Sequence, residues 1–147
     1  MFFNKKEDKN KNSYLIKIAS LLIYAAKIDE KYTVEEEDII KRTLLDLGVE
    51  QKDLNNLMID AIKNEDESNQ ILDFTKEIKN MDKKGKIKIV KTLWKIIYSN
   101  KNADMFETNL MRRLAGLLYI DSKTMGNIKE EIKKENLVWP TLLMINV

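Results

Sequence analysis

Apolar residues along this chain recur at steps of three and four, and the long stretches between turns contain almost no breakers. One proline and four glycines occur in 147 residues. That pattern predicts helices throughout. Seven are expected. The first covers Ser13 to Ile28, with Leu15, Ile18, Leu22 and Ala25 on one face. The second starts after Thr33, where Thr33-Val34-Glu35-Glu36 has the form of a capping box, and ends at Gly48, a residue suited to a left-handed cap. The third runs from Gln51 to Lys63 on a stripe of Leu54, Leu57, Met58, Ala61 and Ile62. The fourth starts near Ser68 and carries Ile71, Phe74 and Ile78. The fifth covers Lys84 to Ser99. The sixth starts after Asp104, and the seventh after Asp121 with Met125, Ile128 and Ile132 on one side.

The resulting division is a polar tail over residues 1–12, a helical domain over 13–134 and an apolar arm over 135–147. Pro140 is expected to break any helix in the arm. The arm packs back on the body or serves as a partner or homodimer contact, because a free apolar arm is a liability.

Segments 15–47 and 86–118 align without a gap at an offset of 71 residues. Leu22 falls on Leu93, Glu36 on Glu107, Arg42 on Arg113 and Leu47 on Leu118. In both copies an apolar helix ends at a polar residue, Asp29 or Asn100. Seven residues later a glutamate, Glu36 or Glu107, sits in a capping box. The fold expected is therefore all-α, with two similar helical hairpins packed around one core.

Composition narrows the chemistry. With 44% hydrophobic residues the chain can bury a core, so disorder is excluded. Charged residues reach 34%, but the net charge is only +2, so any case for an anionic partner rests on local clusters. Cysteine and histidine are both absent. This removes thiolate sites, the commonest general base and the commonest transition-metal ligand. A bound metal would be calcium or magnesium held by oxygen. No cofactor is called for otherwise. The first twelve residues lack an apolar core of the signal-peptide kind, and no apolar run reaches the roughly 18 residues of a membrane span. The default compartment is the cytoplasm.

The corner residues carry a family resemblance. Leu22-Ile23-Tyr24-Ala25-Ala26-Lys27-Ile28-Asp29-Glu30 resembles the first motif of TerB-like (tellurite-resistance B) proteins, in which a small-residue helix ends in an acidic corner. Leu93 to Asn100 is similar to the second copy, and Phe106 to Leu118 resembles the helix that follows it. The resemblance spans residues 14–134. Glu30 and Lys101 stand where the pattern has glycine, and Asn100 stands for its aspartate. The resemblance implies a seven-helix fold without known catalysis, linked to tellurite resistance, stress responses and membrane-associated defence.

Two surfaces are candidates for function. Around the acidic corner, Asp29, Glu36, Asn100 and Glu107 are candidate ligands for a divalent cation, with Glu30, Glu35, Glu37 and Asp38 forming an acidic surface. This is not an EF-hand, and capping glutamates in solvent explain the same residues. An acid–base pair is disfavoured, since all these carboxylates belong to one wet, charged surface. Along the fifth helix, Lys84, Lys88, Lys91 and Lys95 form one stripe, which Arg112 and Arg113 extend. No acidic residue interrupts Lys83 to Ser99, so the field is expected to be unneutralised. Phosphate or lipid headgroups suit such a row. Nucleic acid is disfavoured, because stacking aromatics are not interleaved on that face. Tyr24, Trp94, Tyr98 and Tyr119 read as core or boundary residues. The chain thus reads as a non-catalytic interaction module with an unidentified protein partner. A cation-binding module and a binder of anionic surfaces, including peripheral membrane contact, are the alternatives.

Overall fold

The computed structural model describes the backbone of residues 5–28, 32–68, 70–99 and 105–145, and the side chains within 13–28, 32–68, 70–99 and 109–135. Among the described residues seven helices follow in order: α1 (Lys5–Ala26), α2 (Val34–Asp46), α3 (Gln51–Glu67), α4 (Leu72–Ile78), α5 (Lys83–Ser99), α6 (Met105–Leu117) and α7 (Ser122–Ile145). No strand occurs among the described residues.

Helix α1 is the hub and packs against α2, α3, α4 and α5. Its sequence explains why. Ile18, Ala19, Leu21, Leu22, Ile23 and Ala26 are all essentially buried, so this segment is apolar on every side, as a central helix must be. Ser20 is the buried polar exception. Its hydroxyl donates to the Ile16 carbonyl at 2.7 Å and accepts from Asn64 Nδ2 at 2.9 Å, which ties α1 to α3 without an orphaned group. A second buried polar contact joins α2 to α5, where the Thr43 and Thr92 hydroxyls lie 2.7 Å apart. Helix α5 packs on α1, α2 and α7, and α6 packs on α4 and α7.

The internal repeat is visible in the backbone. Helices α2 and α6 begin and end at equivalent positions under the 71-residue offset. The equivalence extends through their ends. Gly48 N–H donates to the Leu45 carbonyl and Val49 N–H to the Leu44 carbonyl. At the matching positions Tyr119 N–H donates to Gly116 and Ile120 N–H to Ala115. Both are Schellman caps, whose C′ residue must turn left-handed. Gly48 does so at φ +104°, whereas Tyr119 does so at φ +56° with a side chain to accommodate. The two sites should therefore respond oppositely to substitution. Gly48→Ala is expected to cost about 1 kcal/mol, while Tyr119→Gly is expected to be neutral or stabilising by up to about 1 kcal/mol. Denaturant midpoints check this, and a destabilising Tyr119→Gly would show that the tyrosine ring is held by something worth more than its backbone strain.

Four features differ from the sequence reading. Helix α1 extends back to Lys5, through residues read as tail. Helix α7 continues through Pro140. Proline removes one amide donor, but its fixed φ is already helical, so a helix loses a bond there without having to stop. Ile62 lies 38% exposed, outside the buried stripe of α3, because that stripe is narrower than the hydrophobic period allowed. Tyr119 is neither core nor helical and stands 70% exposed.

Candidate functional site

The acidic corner is built on the start of α2. Thr33 is the N-cap. The Glu36 amide donates to Thr33 Oγ1 at 3.1 Å, and Glu36 Oε1 accepts from the Thr33 amide at 3.0 Å and its hydroxyl at 2.9 Å. The capping box read from the sequence is therefore closed in both directions. One of these carboxylates does not sit on the wet surface expected. Glu36 is only 3% exposed, while Glu35 and Asp38 are exposed and Glu37 is half-buried. Glu37 pairs with Lys41 one turn on, at 3.8 Å. Beside them the buried Tyr32 hydroxyl has no hydrogen-bond partner among the described residues. Burial first, and then the charges of Glu37 and Glu36, push its ionisation well above the ordinary tyrosine value.

Of the four candidate cation ligands, Glu36 alone has a described side chain. Asp29 and Asn100 lie outside the described residues, as does Glu30, and Glu107 is described only as backbone of α6. Among the described residues no group of three or more acidic side chains is placed to hold a metal ion.

The lysine stripe is better defined. Lys84, Lys88 and Lys95 are exposed on α5, and the opposite face of that helix, with Val90, Leu93, Trp94 and Ile97, is buried. Lys88, Lys91 and Lys95 line a groove of about 220 Å³ between α2 and α5, closed on the other side by Thr43 and Asp46. The field is partly neutralised from outside the helix, contrary to the reading from α5 alone. Lys91 pairs with Glu131 of α7 at 3.3 Å, and Asp46 of α2 lines the groove. Both acids are distant in sequence, so a scan along α5 could not find them. Arg112 and Arg113 are exposed on α6, and Arg112 lines a different cavity, walled by α5, α6 and α7.

A pattern of one buried acidic box, two repeated Schellman corners and a central α1 packed by four of the other helices coincides with a sequence match. Residues 15–130 match the model of the tellurite resistance protein TerB family. The chain belongs to the TerB family. No curated protein and no solved structure matches it significantly. TerB is not a known enzyme class. The match begins at Leu15 and ends at Glu130, so it contains both halves of the repeat. Within this TerB chain, no described helix is long and apolar enough to cross a membrane.

The sequence reading missed three features: the burial of Glu36, the left-handed Tyr119 and a cavity of about 450 Å³ walled by α5, α6 and α7. A signal existed for the second. Extending the repeat by one residue sets Tyr119 on Gly48, which marks the tyrosine as occupying a glycine position.

Proposed function

We propose that this TerB-family chain is a non-catalytic interaction module whose α5 lysine face holds an acidic protein partner, in an assembly of the stress-response or tellurite-resistance type. The observation that carries this reading is the exposure of Lys84, Lys88 and Lys95 along one side of a helix whose other side is locked into the core. A stripe on a rigid backing presents its charges in a fixed register, so an acidic surface can meet them without ordering a loop. The Lys91–Glu131 pair and Asp46 set the edges of the patch and favour a partner with a defined acidic pattern over an undifferentiated anionic film. The corner is the weaker candidate, because the Glu36 carboxylate already serves the Thr33 cap.

The test is quantitative co-purification from the native host with the tagged chain and its Lys84→Glu/Lys88→Glu/Lys95→Glu variant. A protein retained by the wild type and reduced roughly tenfold or more in the variant, at an unchanged thermal midpoint, supports the reading. Equal retention overturns it. Capture of anionic vesicles in place of a protein, falling steeply with salt, would transfer the surface to the lipid-binding alternative.

A further inference from the structure

The cavity between α5, α6 and α7 has the size of a small-molecule site, about 450 Å³. Its floor is apolar: Trp94, Met111, Ala115 and Met125 line it and are each under a tenth exposed. Two of its lining residues are helical glycines on facing helices, Gly116 on α6 and Gly126 on α7. A Cβ added at either would meet nothing within 4 Å. Glycine weakens a helix relative to alanine, and neither position needs it for a turn or a close approach. Their effect is to leave the cavity open.

The rim is charged. Arg112 and Lys129 both line the opening, and neither has an ion pair among the described residues. Lys129 Nζ is held 5.4 Å from the centroid of the Trp94 ring, over the apolar wall. Asp121, the one rim carboxylate among the described residues, accepts from the Thr124 amide at 3.2 Å and from its hydroxyl, so its oxygens are engaged in capping α7. Among the described residues, two cations against one carboxylate leave a single positive charge above an apolar floor.

We infer that this cavity binds a small monoanionic amphiphile, a carboxylate on an aliphatic body. The guanidinium of Arg112 offers the paired donors that a carboxylate accepts, and Lys129 adds a second charge. The methionines and Trp94 accept an aliphatic chain without a demanding shape, since thioethers repack readily. This site is distinct from the lysine groove between α2 and α5, so its failure leaves the partner surface untouched.

The probe is sodium octanoate, with octan-1-ol as its uncharged counterpart. Of the two tryptophans, Trp139 is replaced by Phe so that Trp94 alone reports by fluorescence, and calorimetry gives the stoichiometry. Octanoate should bind saturably at one site with a Kd of about 1 mM or tighter. Octan-1-ol at matched concentration, and octanoate with the Arg112→Glu variant, should each bind roughly tenfold more weakly. Gly126→Leu, whose side chain grows into open space, should abolish binding while the thermal midpoint holds. A non-saturable response, an equal affinity for octan-1-ol, or undiminished binding in both Arg112→Glu and Gly126→Leu would overturn the inference.

Discussion

Phe74→Ala is expected to remove about 3–5 kcal/mol of stability, a large fraction of what a domain of this size possesses. Phe74 lies on α4, which has only seven residues, Leu72–Ile78. A helix that short does not persist by its own hydrogen bonds. It is held by Ile71, Phe74 and Ile78, which are all buried, against α1 and α6. The Phe74 ring is fully buried and meets Tyr24 of α1 in a tilted arrangement, with centroids 6.1 Å apart. Truncation to alanine leaves a cavity at the junction of three helices, where little can collapse to fill it. Leu72→Ala, two residues away and 48% exposed, is the control and should change stability by less than about 1 kcal/mol. Urea unfolding followed by circular dichroism measures both. Should Phe74→Ala fail to fold, Phe74→Leu keeps most of the volume and should lose a smaller, measurable part. Equal effects at Phe74 and Leu72 would mean that α4 is not wedged by its ring.

Glu36→Ala should cost about 1–3 kcal/mol, whereas Glu36→Gln should cost under about 1 kcal/mol. The asymmetry follows from the chemistry of the box. Alanine leaves the Thr33 amide without its acceptor at the start of α2, and it deletes the side chain of a residue that is only 3% exposed. Glutamine still presents an oxygen to the Thr33 amide and hydroxyl, since a capping box accepts either residue. What glutamine loses is the negative charge at the N-terminus of α2, and Glu35 and Glu37 in the same turn still supply that. Chemical denaturation of the two variants separates the roles. Equal losses would show that the charge of Glu36, and not its acceptor oxygen, supports the corner.

Local grammar made much of the fold legible. Thr33, Glu36 and Gly48 announce the ends of α2 through residue types that act within four positions of themselves. The 71-residue offset carries those ends to α6. The stripe Leu54, Leu57, Met58 and Ala61 identifies the buried side of α3, but the width of that side depends on what packs there, and so Ile62 falls outside it. The site was less legible because its properties come from elements far apart in the chain. Glu36 is buried by its neighbours in space. Lys91 meets its counter-ion on α7, and the cavity beneath Arg112 exists only once three helices have met. The lysine stripe itself was readable, since its spacing of three and four belongs to α5 alone.

The asymmetry between the halves accords with the proposed function. The first corner holds an acid engaged in the fold, and the helix that opens the second half carries the exposed cations. Lysine footprinting tests this division of labour most directly: acetylation rates of each lysine are compared in the free chain and in its complex with the co-purified partner. Protection of Lys84, Lys88 and Lys95, with Lys76, Lys133 and Lys134 reacting as in the free chain, is the predicted result. Protection elsewhere with the α5 stripe fully reactive would contradict the account.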